Sequence, residues 1–250
     1  LPSPPSNDFW NGDACESIYH MNKFPSHEDH VAQAIVESTT SRRPDGRFEI
    51  RPPWRSFPPS MPDNRAYVRR RFVNLENRFL RDKNYFDEYS EIICGYIKDG
   101  HAERVPKYEL RRPAGKTNFL PHHGVNHEGK SLRVVFDTSL KTNSKSLSTE
   151  IMSGPDVLNN LSGVIMRFRQ FPIPVVADLR KYYHSVHLPT EDADFLRFFF
   201  YENPLDMSSR VIEYRMTIHI FGGIWSQFVA SHGLGQTIGN AVRSGQINER

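Results

Sequence analysis

The amino-acid sequence predicts an α+β fold, and three observations carry that prediction. Apolar residues recur at helical spacing from Asn64 to Asp82 and again from about Tyr85 to Asp99. The pattern then shifts to short β-type runs, and one later stretch, Val211 to Ile220, alternates with a period of two. With 38% hydrophobic and 24% charged residues over 250 positions, the chain has enough apolar material for a core.

The first 62 residues read as a proline-rich connector region, with runs such as Arg51-Pro52-Pro53 and Phe57-Pro58-Pro59, interrupted by one helix. Ser26 followed by Asp29 forms a capping-box pattern that opens this helix from about His27 to Ser38, with Val31, Ala34, Ile35 and Ser38 inward. Residues 63–115 read as a basic helical hairpin and linker. Val68, Phe72, Leu75 and Phe79 mark the inner stripe of its first helix, and Arg65, Arg69, Arg70, Arg71, Arg78 and Arg81 crowd the other faces. The second carries Phe86, Tyr89, Ile93 and Ile97 and stops at Gly100.

In residues 116–250 the expected elements are β-type runs at Asn118–Val125 and Leu132–Phe136, and a helix from about Pro155 to Arg169. An apolar strand follows at Pro172–Ala177, then strands Asp194–Tyr201 and Val211–Ile220. The last of these places Ile212, Tyr214, Met216 and Ile218 on a buried face, with Val211, Glu213, Arg215 and Thr217 opposite. The turn Phe221-Gly222-Gly223 leads into a final helix to about Val242.

Several function classes fail. Cys15 and Cys94 cannot build a disulfide scaffold or a thiolate zinc site, which favours a reduced intracellular protein. Leu1 to Asp13 is no secretory signal, and a start without Met reads as a fragment. Met216 to Val242 lacks Asp, Glu, Lys and Arg, but it carries His219, Gln227, His232 and Asn240 and reads as a core element, not a membrane span. Gly115-Lys116-Thr117 is no phosphate loop, since Leu110 stands where that loop needs glycine. His27 and His30 with Cys15 and His20 match no common zinc spacing, and neither Gly-x-Ser-x-Gly nor Asp-Thr/Ser-Gly occurs.

The informative stretch is Pro172-Ile173-Pro174-Val175-Val176-Ala177-Asp178, an apolar run delivering one carboxylate, with an aromatic five residues on at Tyr183. A carboxylate beside a peptide carbonyl offers the hard oxygens that magnesium prefers. Upstream lie Pro121-His122-His123-Gly124-Val125, Arg133-Val134-Val135-Phe136-Asp137 and Gly154-Pro155-Asp156-Val157-Leu158; downstream lies Phe221-Gly222.

In this order the five segments resemble the reverse transcriptase of BEL/Pao-type long-terminal-repeat retrotransposons, and the resemblance covers almost the whole chain. It implies a fingers and palm architecture over residues 116–250, truncated before a Tyr-x-Asp-Asp hairpin, with the N-terminal helices as an extension. The implied reaction is RNA-directed DNA synthesis from deoxynucleoside triphosphates on an RNA or DNA template-primer, with Mg2+ or Mn2+ as cofactor. Asp178 would be the catalytic, metal-binding carboxylate and Leu179 a metal ligand through its carbonyl. Tyr183 would be the steric gate under the incoming sugar, Arg133 the triphosphate grip, and Phe221, Gly222 and Ser226 the lining of the base pocket. Asp137 would orient basic neighbours. The rest of a Pol polyprotein would be a partner, and cytoplasmic virus-like particles the location.

The sequence departs from that pattern in three ways. Asn126 and His127 stand where a fingers lysine is expected, with Lys130 as a weaker substitute. Ser185 and Gln227 replace a glutamine and a proline. No Tyr-x-Asp-Asp occurs; the nearest string, Tyr85-Phe86-Asp87-Glu88, lies in a helix. The fragment alone is therefore expected to be a poor polymerase, and a non-catalytic nucleic-acid-binding remnant is the alternative. Charge supports nucleic acid as partner: Arg42 to Arg112 holds 17 Lys+Arg against 11 Asp+Glu, within a net charge of +3.

Overall fold

The computed structural model describes residues 25–126, 129, 131–170 and 172–246, and within them the protein is a mixed α+β structure. Helix α1 (His27–Thr39) opens with the expected reciprocal cap, Ser26 Oγ accepting from the Asp29 amide at 3.1 Å. Its buried residues are Ala32 and Val36, while Val31, Ala34 and Ser38 are exposed. Two adjacent i, i+4 stripes compete on this helix, and packing selects the one rotated by one residue from the expected face.

A short sheet follows, β1 (Ser41–Arg42) antiparallel to β2 (Phe48–Glu49). Then come α2 (Arg65–Arg81) and α3 (Lys83–Lys98), joined through Asp82, whose carboxylate caps α3 by accepting from the Tyr85 amide at 2.9 Å. The inner stripe of α2 is buried as expected, and Gly100 ends the hairpin at φ +70°.

The hairpin packs on a three-stranded antiparallel sheet of β3 (Ala102–Arg104), β8 (Val211–Met216) and β7 (Arg197–Tyr201), in that spatial order. Aromatic rings form the seam. Phe79 lies 5.1 Å from Tyr89 and 6.2 Å from Phe200, and Phe200 stacks on Tyr89 at 5.9 Å. The pair β4 (His122–Val125) and β5 (Arg133–Phe136) closes one side, with Phe136 edge-on to Phe198 at 5.2 Å. One-turn helix α4 (Leu147–Glu150) precedes α5 (Leu161–Phe168); β6 (Val186–His187) joins β2 in parallel, and α6 (Thr190–Ala193) leads into β7. The chain then runs through β8 to α7 (Ser226–Arg243). No helix among the described residues is long and apolar enough to cross a membrane.

Three expectations are corrected. The helix expected from Pro155 begins only at Leu161, because Asn160 caps it by accepting from the Gly163 amide at 3.1 Å, and residues 155–160 are irregular. Residues 172–177 form no strand: Ile173, Val175 and Val176 are 79–82% exposed, and no neighbouring backbone pairs with them among the described residues. An apolar run becomes a strand only where a partner edge satisfies its amides and carbonyls. Finally, the second face of β8 is not solvated, for Glu213 and Arg215 are as deeply buried as Tyr214 and Met216.

That buried polar face is a network. Arg197, 1% exposed, donates to Asp194 Oδ1 at 2.8 Å, to Glu213 Oε2 at 3.1 Å and to the Glu109 carbonyl at 2.8 Å. Arg215, 3% exposed, lies opposite it in the β7–β8 register and donates to Asp194 at 2.9 Å, to Glu103 at 2.7 Å and to Glu109. Two guanidiniums directly across a sheet repel, and Asp194 Oδ1 stabilises both by accepting from each. Burial opposes ionisation of Glu109, but the hydrogen bond from Arg215 and the charges of Arg215 and Arg112 outweigh it and hold its pKa below the ordinary carboxylate value.

Candidate functional site

The site predicted from sequence is built around the N-terminus of α7. The turn before it, 221–223, packs on the end of β5: a Cβ on Gly222 would lie 3.0 Å from the Phe136 carbonyl oxygen and 3.7 Å from Val135 Cγ1. At φ +101° this position also lies in the left-handed region, so both backbone and space call for glycine. The Thr138 hydroxyl donates to the Gly222 carbonyl at 3.1 Å and ties the turn to the residues after β5.

Arg133 and Val135 are two apart on β5 and so share a strand face, the one that meets Gly222; Val134 and Phe136 face the core. Arg133 is exposed, and among the described residues it has no ion-pair partner. Asp137 Oδ1 accepts from the Ser139 amide at 3.0 Å and hydroxyl at 2.6 Å, capping a turn. It also lines a cleft of about 300 Å3 with Arg71 and Arg78.

Tyr183 sits in a single 3₁₀ turn, Tyr183–Ser185, that leans on the same place. Its ring lies 5.6 Å from that of Phe221, and its hydroxyl donates to Gln227 Oε1 at 2.8 Å. Tyr182 shares a hydrogen bond with Ser231 at 2.8 Å, so both aromatics are fixed to α7. The other side of the turn is clamped to the end of α3. Lys181, at φ +57°, pairs with Asp99, and His184 packs edge-on to Tyr96 at 5.4 Å and beside His101 at 5.2 Å. Burial, reinforced by His101 and Lys181, lowers the His184 pKa to about 4, so the ring is neutral at pH 7.

The Gly154-Pro155-Asp156 segment arrives from the opposite side. A Cβ on Gly154 would lie 2.2 Å from the Phe228 ring, and at φ +76° the residue turns the chain along α7. Pro155, Tyr182, Gln227 and Ser231 then line a cleft of about 540 Å3. Beneath it, Trp225 donates to His219 Nδ1 at 3.0 Å, which leaves the proton of His219 on Nε2, donating to the Ile50 carbonyl at 3.0 Å. Burial holds this histidine neutral too, with a pKa of about 4.

The structure thus brings Tyr183, Phe221, Gly222 and the Arg133 face of β5 into one contiguous set. Two residues fall outside the expected roles or placement. Ser226 is buried and donates to the Ile220 carbonyl at 2.7 Å, so its hydroxyl serves the turn from inside. Asp178 is exposed on the unpaired stretch, and among the described residues neither its carboxylate nor the Leu179 carbonyl is hydrogen-bonded. His127 and Lys130 lie outside the described residues.

The donor set limits what Asp178 can do. A carboxylate and a carbonyl are hard oxygens of the kind magnesium takes, but no three His, Cys, Asp or Glu side chains among the described residues are grouped to hold a metal ion. For a two-ion site the described residues around Asp178 do not suffice. Sequence reasoning missed Gln227 as the partner of Tyr183, although its position two residues into α7 was the signal available. It also missed the paired neutral histidines, whose partners are distant in sequence. No protein-family model matches the chain, and no curated protein shows significant similarity to it.

Proposed function

We propose that the chain is the fingers and palm part of an RNA-directed DNA polymerase of the BEL/Pao retrotransposon type. The observation that carries this reading is the contact chain from Tyr183 through Phe221 and Gly222 to the β5 face bearing Arg133. Sequence segments far apart supply these groups, and together they suit a deoxynucleoside triphosphate. The Tyr183 ring, held by Gln227, would occupy the space that a 2'-hydroxyl needs. The glycine turn lets a base approach the backbone. The Arg133 guanidinium would neutralise phosphate charge through a planar donor fork that stays protonated. Orientation and charge neutralisation are what the chain's own residues contribute to nucleotidyl transfer.

Magnesium or manganese is the cofactor this reading implies, and Asp178 with the Leu179 carbonyl would be its ligands. Because these donors are too few for a two-ion clamp, no step is assigned to a metal. A second reading, a nucleic-acid-binding remnant that no longer polymerises, is supported by Ser185 and Gln227, which stand where the resemblance expects a glutamine and a proline.

Deoxynucleotide binding to this chain tests the site. Arg133→Ala should weaken dTTP binding about tenfold, in line with loss of one charge-assisted contact, and Tyr183→Ala should erase any preference for dTTP over UTP. Unchanged affinity and preference in both would reject the assignment. Primer extension on RNA by a chain carrying a Tyr-x-Asp-Asp segment, abolished by Asp178→Asn, would separate polymerase from remnant.

A further inference from the structure

We infer that a second cleft, which contains none of the candidate nucleotide-site residues, binds single-stranded nucleic acid. It lies between the start of α2, the loop after β3 and the start of β8, and has a volume of about 750 Å3. Six cations line it: Arg65, Arg69, Arg104, Lys107, Arg111 and Arg210, against one carboxylate, Glu213. Their pairing leaves charge to spare. Arg104 and Arg210 share the single carboxylate of Glu202, Arg69 pairs with Glu76 at 2.8 Å, and Arg65 pairs with Glu213 at 2.7 Å. Lys107 and Arg111 are exposed and have no carboxylate partner among the described residues.

The floor is apolar and firmly held. Phe199, Val211 and Ile212 line it, and Arg65 lies over the Phe199 ring at 5.7 Å. Tyr108 is not a lining residue, but it follows the lining Lys107 in sequence at the edge of the cleft and is 83% exposed. A cationic cleft with an apolar floor, next to an exposed aromatic residue in the same loop, suits a strand that presents phosphates and unstacked bases together. A duplex keeps its base faces stacked inside and would leave the floor unused. An acidic peptide would satisfy the charges, but it offers the tyrosine no base to stack on.

The inference deepens the nucleic-acid reading above by giving it a strand-binding site, and its test is separable from that reading. Anisotropy of a fluorescein-labelled oligouridylate would be measured against salt, with the charge-reversed double variant Lys107→Glu, Arg111→Glu, with Tyr108→Ala, and with polyglutamate as competitor. Removing two phosphate contacts should lower affinity at least tenfold and flatten the log–log salt slope by about 1.4. Tyr108→Ala should cost about fivefold or more. All three positions are exposed, and the milder Lys107→Gln, Arg111→Gln pair, with about half the effect on affinity, guards against misfolding of the charge-reversed chain. Affinity and slope unchanged in both double variants would overturn the inference, as would a labelled duplex binding as tightly as the single strand, or polyglutamate displacing the strand as well as oligouridylate does. Binding of dTTP by the same variants reads the other site: lost strand binding with intact dTTP binding supports two sites, and unchanged strand binding leaves the polymerase reading where it stood.

Discussion

Two regions of the molecule invert the usual distribution of residues. In the β3–β8–β7 sheet, Asp194, Arg197, Glu213 and Arg215 are buried, while between residues 157 and 179 Leu158, Leu161, Met166, Val175 and Val176 are largely exposed. Burial here follows partnership, not polarity alone. The charged groups lie inside because each guanidinium meets carboxylates at hydrogen-bonding distance, which offsets much of their desolvation cost. The apolar groups lie outside because no described backbone edge or core surface faces them. Interior position is a property of the pair.

The comparison can be broken hardest at Arg197. Replacing it with Met leaves Asp194 and Glu213 buried with fewer counter-charges, and urea unfolding should show a loss of about 3–5 kcal/mol. Acid should act next. His122, His184 and His219 have pKa values lowered to about 4, with burial the main cause in each case. The unfolded chain, with histidines near 6.5, takes up protons first as the pH falls. The stability these neutral rings contribute is therefore complete above about pH 6.5 and declines toward pH 4, by on the order of 2–4 kcal/mol for a fully buried ring. A melting temperature independent of pH across that window would contradict it, and His219→Gln should shallow the slope.

Gly222→Ala comes third, at about 1–3 kcal/mol, because the new Cβ meets the Phe136 carbonyl at 3.0 Å on a backbone that disfavours it. The smallest effect belongs to the other region: Val175→Ser and Val176→Ser should each change stability by about 0.5 kcal/mol or less. A loss comparable to that of a core valine would mean that a surface covers this stretch.

How far the sequence reveals this fold depends on the range of the forces involved. The inner stripe of α2 is legible because Val68, Phe72, Leu75 and Phe79 report burial through spacing within one element. So is the α1 cap, which needs only Ser26 and Asp29. The network is not legible, since Glu109 and Arg215 are 106 positions apart and alternation in β8 cannot show what faces Glu213. Residues 172–177 fail for the same reason in reverse: an apolar run states what a segment could cover, and strand pairing is decided elsewhere. Of the candidate site, Tyr183, Phe221 and Gly222 could be singled out from sequence and lie side by side in the fold, but the inward hydroxyl of Ser226 depends on the Ile220 carbonyl and on how α7 begins.

Glu213 divides its two oxygens, one reaching Arg65 at the surface and the other Arg197 inside the sheet. It is the rivet through which the outer lip of the basic cleft is fastened to the interior. A ligand that drew the Arg65 guanidinium away would leave Glu213 to Arg197 alone, and through that shared carboxylate occupancy of the cleft would bear on how rigidly β7 and β8 are held together.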